Sequence, residues 1–203
     1  MANKILLTSL LTVFMLTMTF AQERGVLKGN KKYSEYSFSP AIDIYKKVLD
    51  KGYVSSDLLQ KLGNSYYFNA NFEEAGKIYK QLIEKYGSEV GPEYYFRYGQ
   101  TLKTLGDYKN SDSILAHFAD MTSNDLRSKI IKTAKDYKEE IARNSGRYDI
   151  DLFEYNSKYS DFAPAFYKEG LIFSSDRDTG NLARYRHTWN SRDFLDIYKV
   201  NAD

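Results

Sequence analysis

Cysteine is absent from the 203-residue chain. No disulfide can brace the fold, and no lipid can be attached through a Cys near the N-terminus. Stability therefore rests on core packing. Histidine is nearly absent. His117 and His187 lie in unlike contexts and form no His-x-x-x-His spacing, which argues against a transition-metal site. His117, beside Phe118, reads as a surface or packing residue. An excess of one charge is missing too. Lys+Arg number 29 and Asp+Glu 27, a net charge of +2, so no basic field points to nucleic acid. Gly-x-Ser-x-Gly, a phosphate-binding loop and a dinucleotide fingerprint are all missing. The sequence assigns no catalytic residue, no metal ligand and no cofactor.

Long apolar runs are confined to the start. Residues 1–4 carry one positive charge. Residues 5–20 are apolar but diluted by Thr8, Ser9, Thr12, Thr17 and Thr19, and Ala21–Gln22 follows as a small and then a polar residue. This is the layout of a secretory signal peptide over residues 1–21. It is shorter than the roughly 18 or more apolar residues expected of a spanning helix. An uncleaved membrane anchor is the alternative. Cleavage would remove one Lys, lowering the net charge from +2 to +1.

What is abundant is tyrosine, 19 residues in a chain that is 16% aromatic. An apolar body with a polar tip suits half-buried positions between stacked helices, and also recognition surfaces. Many of these tyrosines fall in a repeat. Gly29, Phe38, Ala41, Tyr45 and Leu49 recur 34 residues later as Gly63, Phe72, Ala75, Tyr79 and Ile83. Gly99, Tyr108, Ser111 and Leu115 form a third copy, 36 residues beyond the second. A period of about 34 is that of stacked helix–turn–helix units. Such stacks hold partners along an extended surface.

Leu59, Leu62, Gly63 and Tyr66 share one helical face. A mid-helix Gly costs about 1 kcal/mol relative to Ala, so its recurrence implies a helix approaching too closely for a side chain. Asn71 with Glu74 three residues on suggests a capping box. Ala75, Ile78, Tyr79 and Leu82 form the buried stripe of the second helix. In the first unit, Ser39 and Pro40 suggest a cap and a first-turn proline, after a weak first helix near residues 25–36. The two extra residues of the third unit fit the turn containing Gly87, Gly91 and Pro92.

Leu62, Gly63, Tyr66, Ala75 and Tyr79 resemble the signature positions of the tetratricopeptide repeat. Leu59 and Leu82 depart from it, where a large aromatic and a small residue are usual. The expected fold is mainly α: a tetratricopeptide-like solenoid of helix hairpins over residues 22–145, followed by a small antiparallel β segment. In such a solenoid the first helices line the concave side. The resemblance thereby exposes Gln60, Asn64 and Tyr67 on the second unit and Phe96, Gln100 and Lys103 on the third. Amide, aromatic and cationic groups together suit an extended peptide of a protein partner. The alternative is that they are solvated or packed on Tyr33.

Leu126, Ile130, Ala134, Tyr137 and Ile141 are spaced as the buried stripe of a five-turn helix ending near Gly146. Lys129, Lys132, Lys135 and Lys138 take its other positions. A polar-faced terminal helix is what caps a solenoid. A basic surface for acidic lipid or peptide is the functional alternative, weakened by Asp136, Glu139 and Glu140.

From Arg147 the period changes to two. Tyr148, Ile150 and Leu152 alternate with Asp149 and Asp151 as in a strand. Residues 165–167 and 171–173 read as a hairpin broken by Lys168–Glu169–Gly170, residues 174–180 as a polar loop, and residues 194–200 as a last strand. Asp176, Asp178 and Gly180 invite comparison with a Ca²⁺ loop, but the spacing fits none, and a turn closed by Asp side chains is the simpler reading. Arg184, Arg186 and His187 before Trp189 could contact an anionic glycan, or simply solvate a loop.

Tyr159–Ser160–Asp161–Phe162 with Pro164 and Phe166, then residues 170–177 and Asp196–Ile197–Tyr198, resemble the first blade of a TolB-type β-propeller over residues 146–203. One blade leaves an edge and an apolar face uncovered, and propellers have typically four or more blades, so more chain is expected beyond Asp203. The order of signal peptide, repeats and blade resembles exported OmpA-family outer-membrane proteins of Bacteroidetes. In those a C-terminal domain grips peptidoglycan, and some are associated with type IX secretion. The resemblance implies a non-enzymatic, periplasm-facing scaffold that binds envelope proteins, and peptidoglycan only through domains beyond these residues. The N-terminal part of an exported peptidase is the alternative. Mass spectrometry of the mature protein is expected to find Gln22 at the N-terminus; a retained Met1 would refute export.

Overall fold

The computed structural model describes residues 22–133, 137–177 and 185–201. The signal-like segment 1–21, Ala134, Asp178, Gly180 and Arg184 therefore lie outside the described residues. The chain divides into two compact units, one ending at residue 134 and the other beginning at residue 135.

The first unit is a run of helix hairpins: α1 (22–34), α2 (Phe38–Leu49), α3 (Ser56–Phe68), α4 (Phe72–Tyr86), α5 (Pro92–Thr104), α6 (Tyr108–Met121) and α7 (Leu126–Thr133). A single 3₁₀ turn, Gly87–Glu89, takes up the extra residues between α4 and α5. No helix among the described residues is long and apolar enough to cross a membrane.

Side chains set the helix starts. Ser55, Asn71 and Asp107 each accept a backbone N–H three residues on, and Pro92 opens α5 where its missing N–H is not needed. The capping box is only half formed. Asn71 caps, but Glu74 turns outward to Lys77 at 2.5 Å. The start of α2 also differs from the sequence expectation. It begins at Phe38, two residues before Pro40, and its cap position Ser37 makes no side-chain bond. Phe38, 2% exposed and stacked on Phe68 at 5.1 Å, anchors that end by burial instead. The expected weak first helix is fully helical over residues 22–34.

Leu58, Leu59, Leu62, Ala75, Tyr79, Leu82 and Phe118 have no exposed surface. The recurring glycines make this packing possible. A Cβ on Gly63 would lie 2.7 Å from the Tyr79 ring, and one on Gly99 would lie 2.6 Å from Leu115. Gly29 meets Tyr45 in the same way. Each glycine opens the first helix of a hairpin to a large residue of the second.

The terminal helix is rotated from its expected phase. Leu126, Ile130 and Ile141 are exposed, by 71%, 57% and 61%. In α7 the inward residues are Ser128, 1% exposed, and Ile131, which packs on the core. The Ser128 hydroxyl sits 2.6 Å from that of Thr122 at the end of α6, which fixes the phase. The remainder of the expected helix is α8 (Tyr137–Asn144), which falls in the second unit.

The second unit holds a three-stranded antiparallel sheet, β1 (Asp161–Tyr167), β2 (Gly170–Ser175) and β3 (Asp196–Asn201), in the order β1-β2-β3 with both edges open. The expected hairpin is present, turning at Lys168–Glu169, and the last strand starts two residues after Phe194. Residues 148–152 are not a strand. Ile150 and Leu152 are each 91% exposed, and the segment pairs with no strand among the described residues, although its alternation suits one. Arg177 holds the sheet together. It donates to Asp161 at 2.6 Å and to the Tyr155 carbonyl at 2.9 Å, and covers the stacked Phe173 and Tyr198 rings. The Arg177 side chain, with help from Ser175 and Ser157, holds the Asp161 carboxyl well below the usual carboxylate range.

Gly63→Ala is expected to destabilise the protein by about 1–3 kcal/mol, despite the better helix former, because the added methyl overpacks against Tyr79. Urea unfolding checks this; an unchanged or raised midpoint would contradict the close-approach reading.

Candidate protein-binding groove

Equivalent positions of the first helices form three rows. Val26, Gln60, Phe96 and Ile130 make one, Asn30, Asn64 and Gln100 the next, and Tyr33, Tyr67 and Lys103 the third. Val26 is buried, Gln60 and Phe96 are half-buried, and Ile130 is exposed.

The middle row is tied into the hairpins. The Tyr45 hydroxyl donates to Asn30 Oδ1 at 2.7 Å, and the Tyr79 hydroxyl donates to Asn64 Oδ1 at 2.8 Å. Asn64 Nδ2 donates to the Tyr33 hydroxyl of the preceding unit at 3.0 Å. Asn64 is therefore not the exposed groove residue expected from the sequence. It is 3% exposed and ties its own hairpin to the preceding unit. Its position in the repeat was correct, but the phenols that enclose it come from other helices.

The other expected residues are placed as follows. Gln60 turns along its own helix and donates to Ser56 Oγ at 2.9 Å. Tyr67 is half-buried among Phe68, Phe72 and Tyr79. Phe96 packs on Phe118 at 5.1 Å under the Arg127 guanidinium at 4.3 Å. Gln100 and Lys103 are half-buried. In the third unit the partner of the glycine is Leu115, which has no hydroxyl to donate, so Gln100 is not consumed as Asn30 and Asn64 are.

Charges along this face pair within helices and, at Glu93–Arg127, between units. Asp57 accepts from Asn30 at 3.0 Å and pairs with Lys61 at 2.6 Å. Glu93 pairs with Arg97 at 3.2 Å and with Arg127 at 2.9 Å. Sequence reasoning overlooked Tyr94 and Arg127. The equivalent positions hold Leu58 and Ser128, and Asp57 and Glu93, so the repeat carries no signal for either. Among the described residues no group of three or more His, Cys, Asp or Glu is placed to hold a metal ion. Half-buried phenols, amides and aromatic rings can offer hydrogen bonds and apolar contacts to an extended chain.

Residues 57–88 match the tetratricopeptide repeat family, and residues 92–125 match it again. The helical unit is a tetratricopeptide-repeat domain. The tetratricopeptide domain is a non-catalytic protein-interaction module. Solved structures similar to the chain include the Arabidopsis OM64 TPR domain, at 16% identity over 57% of this chain and 93% of that one, with a TM-score of 0.48. The Sgt2 TPR domain from Aspergillus fumigatus is similar at 18% identity over 68% of this chain and 92% of that one, with a TM-score of 0.49. No curated protein matches the sequence.

The tetratricopeptide domain is expected to lose stability as the solution becomes alkaline. Burial pushes the Tyr66 phenol up to about 12 and raises Tyr45 and Tyr79 as well, above their ordinary value of 10.0. A phenol raised in the folded state keeps its full contribution below the unfolded value and loses it as pH rises through the folded value. The urea midpoint should thus hold up to about pH 10 and fall steeply towards pH 12. Tyrosinate absorbance should rise together with loss of helicity. A midpoint independent of pH across that window would contradict the burial of these phenols.

Proposed function

We propose that the tetratricopeptide domain holds an extended peptide segment of a partner protein along Gln60, Phe96, Gln100 and Lys103. The observation that carries this reading is the change at the third unit. Asn30 and Asn64 spend their amides on Tyr45 and Tyr79, whereas Gln100 meets no such hydroxyl among the described residues. A repeat that has internalised its polar row twice leaves it available once, between Phe96 and Lys103. Hydrogen bonds to a peptide backbone and contacts with its side chains are the mode such a surface supports.

The setting we propose is the cell envelope. Residues 1–21 have the charge and apolar pattern of an export signal, and the order of repeats and sheet resembles OmpA-family outer-membrane proteins of Bacteroidetes. On this reading the sheet is one blade of a TolB-type propeller, and any link to peptidoglycan or to secretion machinery comes through further domains. The protein would act as a scaffold facing the periplasm.

Replacing Gln100 and Lys103 together by Ala is expected to reduce recovery of co-purifying envelope proteins several-fold while the helical spectrum stays intact, since truncating a polar contact typically costs about 1 kcal/mol or more. Asn64 is unsuitable for this experiment because it is structural. Undiminished partner recovery by the folded double variant would refute the groove.

A further inference from the structure

The run from Arg186 to Trp189 has no part in the groove, yet it builds a second site in the sheet unit. A cleft of about 500 Å³ opens there, within the range of small-ligand sites. Its walls are flat and apolar. Phe162 and Phe194 are 48% and 56% exposed, Trp189 is half-buried beside them, and the His187 ring lies 5.4 Å from Phe194.

Its floor is polar. Asp176 is 4% exposed; it accepts the Ser160 N–H at 2.6 Å and faces the Arg192 guanidinium at 3.5 Å. Arg192, whose side chain is 56% exposed, also donates to the Ser160 hydroxyl. These contacts use both oxygens of Asp176 on protein groups. The His187 Nδ1 accepts the Trp189 N–H at 3.2 Å, which in the neutral ring places the proton on Nε2. Asn190 Oδ1 accepts the Arg192 N–H at 3.0 Å, which directs its NH₂ group elsewhere. Asp193 also lines the cleft.

The charges of the site cancel. Arg192 faces Asp176, and Arg186 faces Asp193 at 3.8 Å. Among the described residues the site thus has no excess positive charge to select an anion. Aromatic faces with donors and acceptors around them match a ring whose faces are C–H and whose edges are hydroxyls, since each hydroxyl both donates and accepts. An aromatic peptide side chain would fill the walls but leave the Arg192 and Asn190 donors unmatched. We propose that this cleft binds a neutral oligosaccharide, one sugar ring lying against Trp189 and Phe194 with its hydroxyls on Arg192, Asn190 and Asp193.

Trp189 is the single tryptophan of the chain, so its fluorescence reports on this site alone. The full chain is titrated with the neutral sugars cellotriose and chitotriose, with anionic trigalacturonate, and with acetyl-Gly-Phe-Gly-amide. At least one neutral trisaccharide is expected to give a saturable change in Trp189 emission. Phe194→Ala should weaken that binding about tenfold, and Asn190→Ala, on the surface and remote from the strands, should weaken it in the same direction. The proposal is overturned by silence with both neutral sugars. A response confined to trigalacturonate or the peptide overturns it too, as does affinity undiminished in both variants.

Discussion

In the helical unit, a tyrosine ring lies where the side chain of a facing residue would otherwise be. The Tyr79 ring passes so close to Gly63 that any Cβ there would sit at 2.7 Å, and Tyr45 stands against Gly29 in the same way. A glycine in mid-helix costs about 1 kcal/mol, and burying a phenol body returns more than that. The ring then delivers its hydroxyl to the far side of the first helix, onto Asn30 or Asn64. One contact thus sets the spacing of the hairpin, satisfies a buried amide and, through Asn64 and Tyr33, joins one hairpin to the next.

The end of the stack uses different chemistry. The third unit keeps the glycine but replaces the phenol by Leu115, and its small residue Ser111 donates to the Gly99 carbonyl at 2.8 Å, bracing the hairpin without the amide. Arg127 of the last helix then lies over Phe96 and Phe118 while pairing with Glu93 and Asp125. α7 carries Ser128 and Ile131 inward and turns Leu126 and Ile130 to water together with its lysines. In the sheet unit the corresponding part is played by Arg177, whose guanidinium joins Asp161, Ser175 and the Phe173–Tyr198 stack.

The hairpins were legible in the sequence because close packing leaves a mark: glycine, small residue and tyrosine recur in phase, and each has one physical use. The fate of Asn64 was not legible. Its position in the repeat marks a groove residue, and only the phenols of Tyr33, from the preceding unit, and Tyr79, from the second helix of its own, enclose it. The phase of α7 was misread for a related reason. Leu126 and Ile130 make a better apolar stripe than Ser128 and Ile131, but the Thr122–Ser128 contact and the fit against α6 decide which side turns inward. Tyr148, Ile150 and Leu152 alternate as well as any strand in the chain, yet a strand forms only by pairing with another, and pairing is not a local property. The Asp161–Arg177 pair was visible as part of a motif, but its role follows only from the register that brings Asp161 opposite Ser175.

The account depends most on the Asn64–Tyr79 hydrogen bond acting as a joint rather than as an incidental contact. A double-mutant cycle in urea tests it, using Tyr79→Phe, Asn64→Ala and the pair together. A buried bond that leaves its partner unsatisfied when broken should give each single variant a loss of about 1–3 kcal/mol and a coupling of about 1 kcal/mol between them. Losses that simply add, with no coupling, would contradict the claim that this bond ties the two helices of the hairpin together.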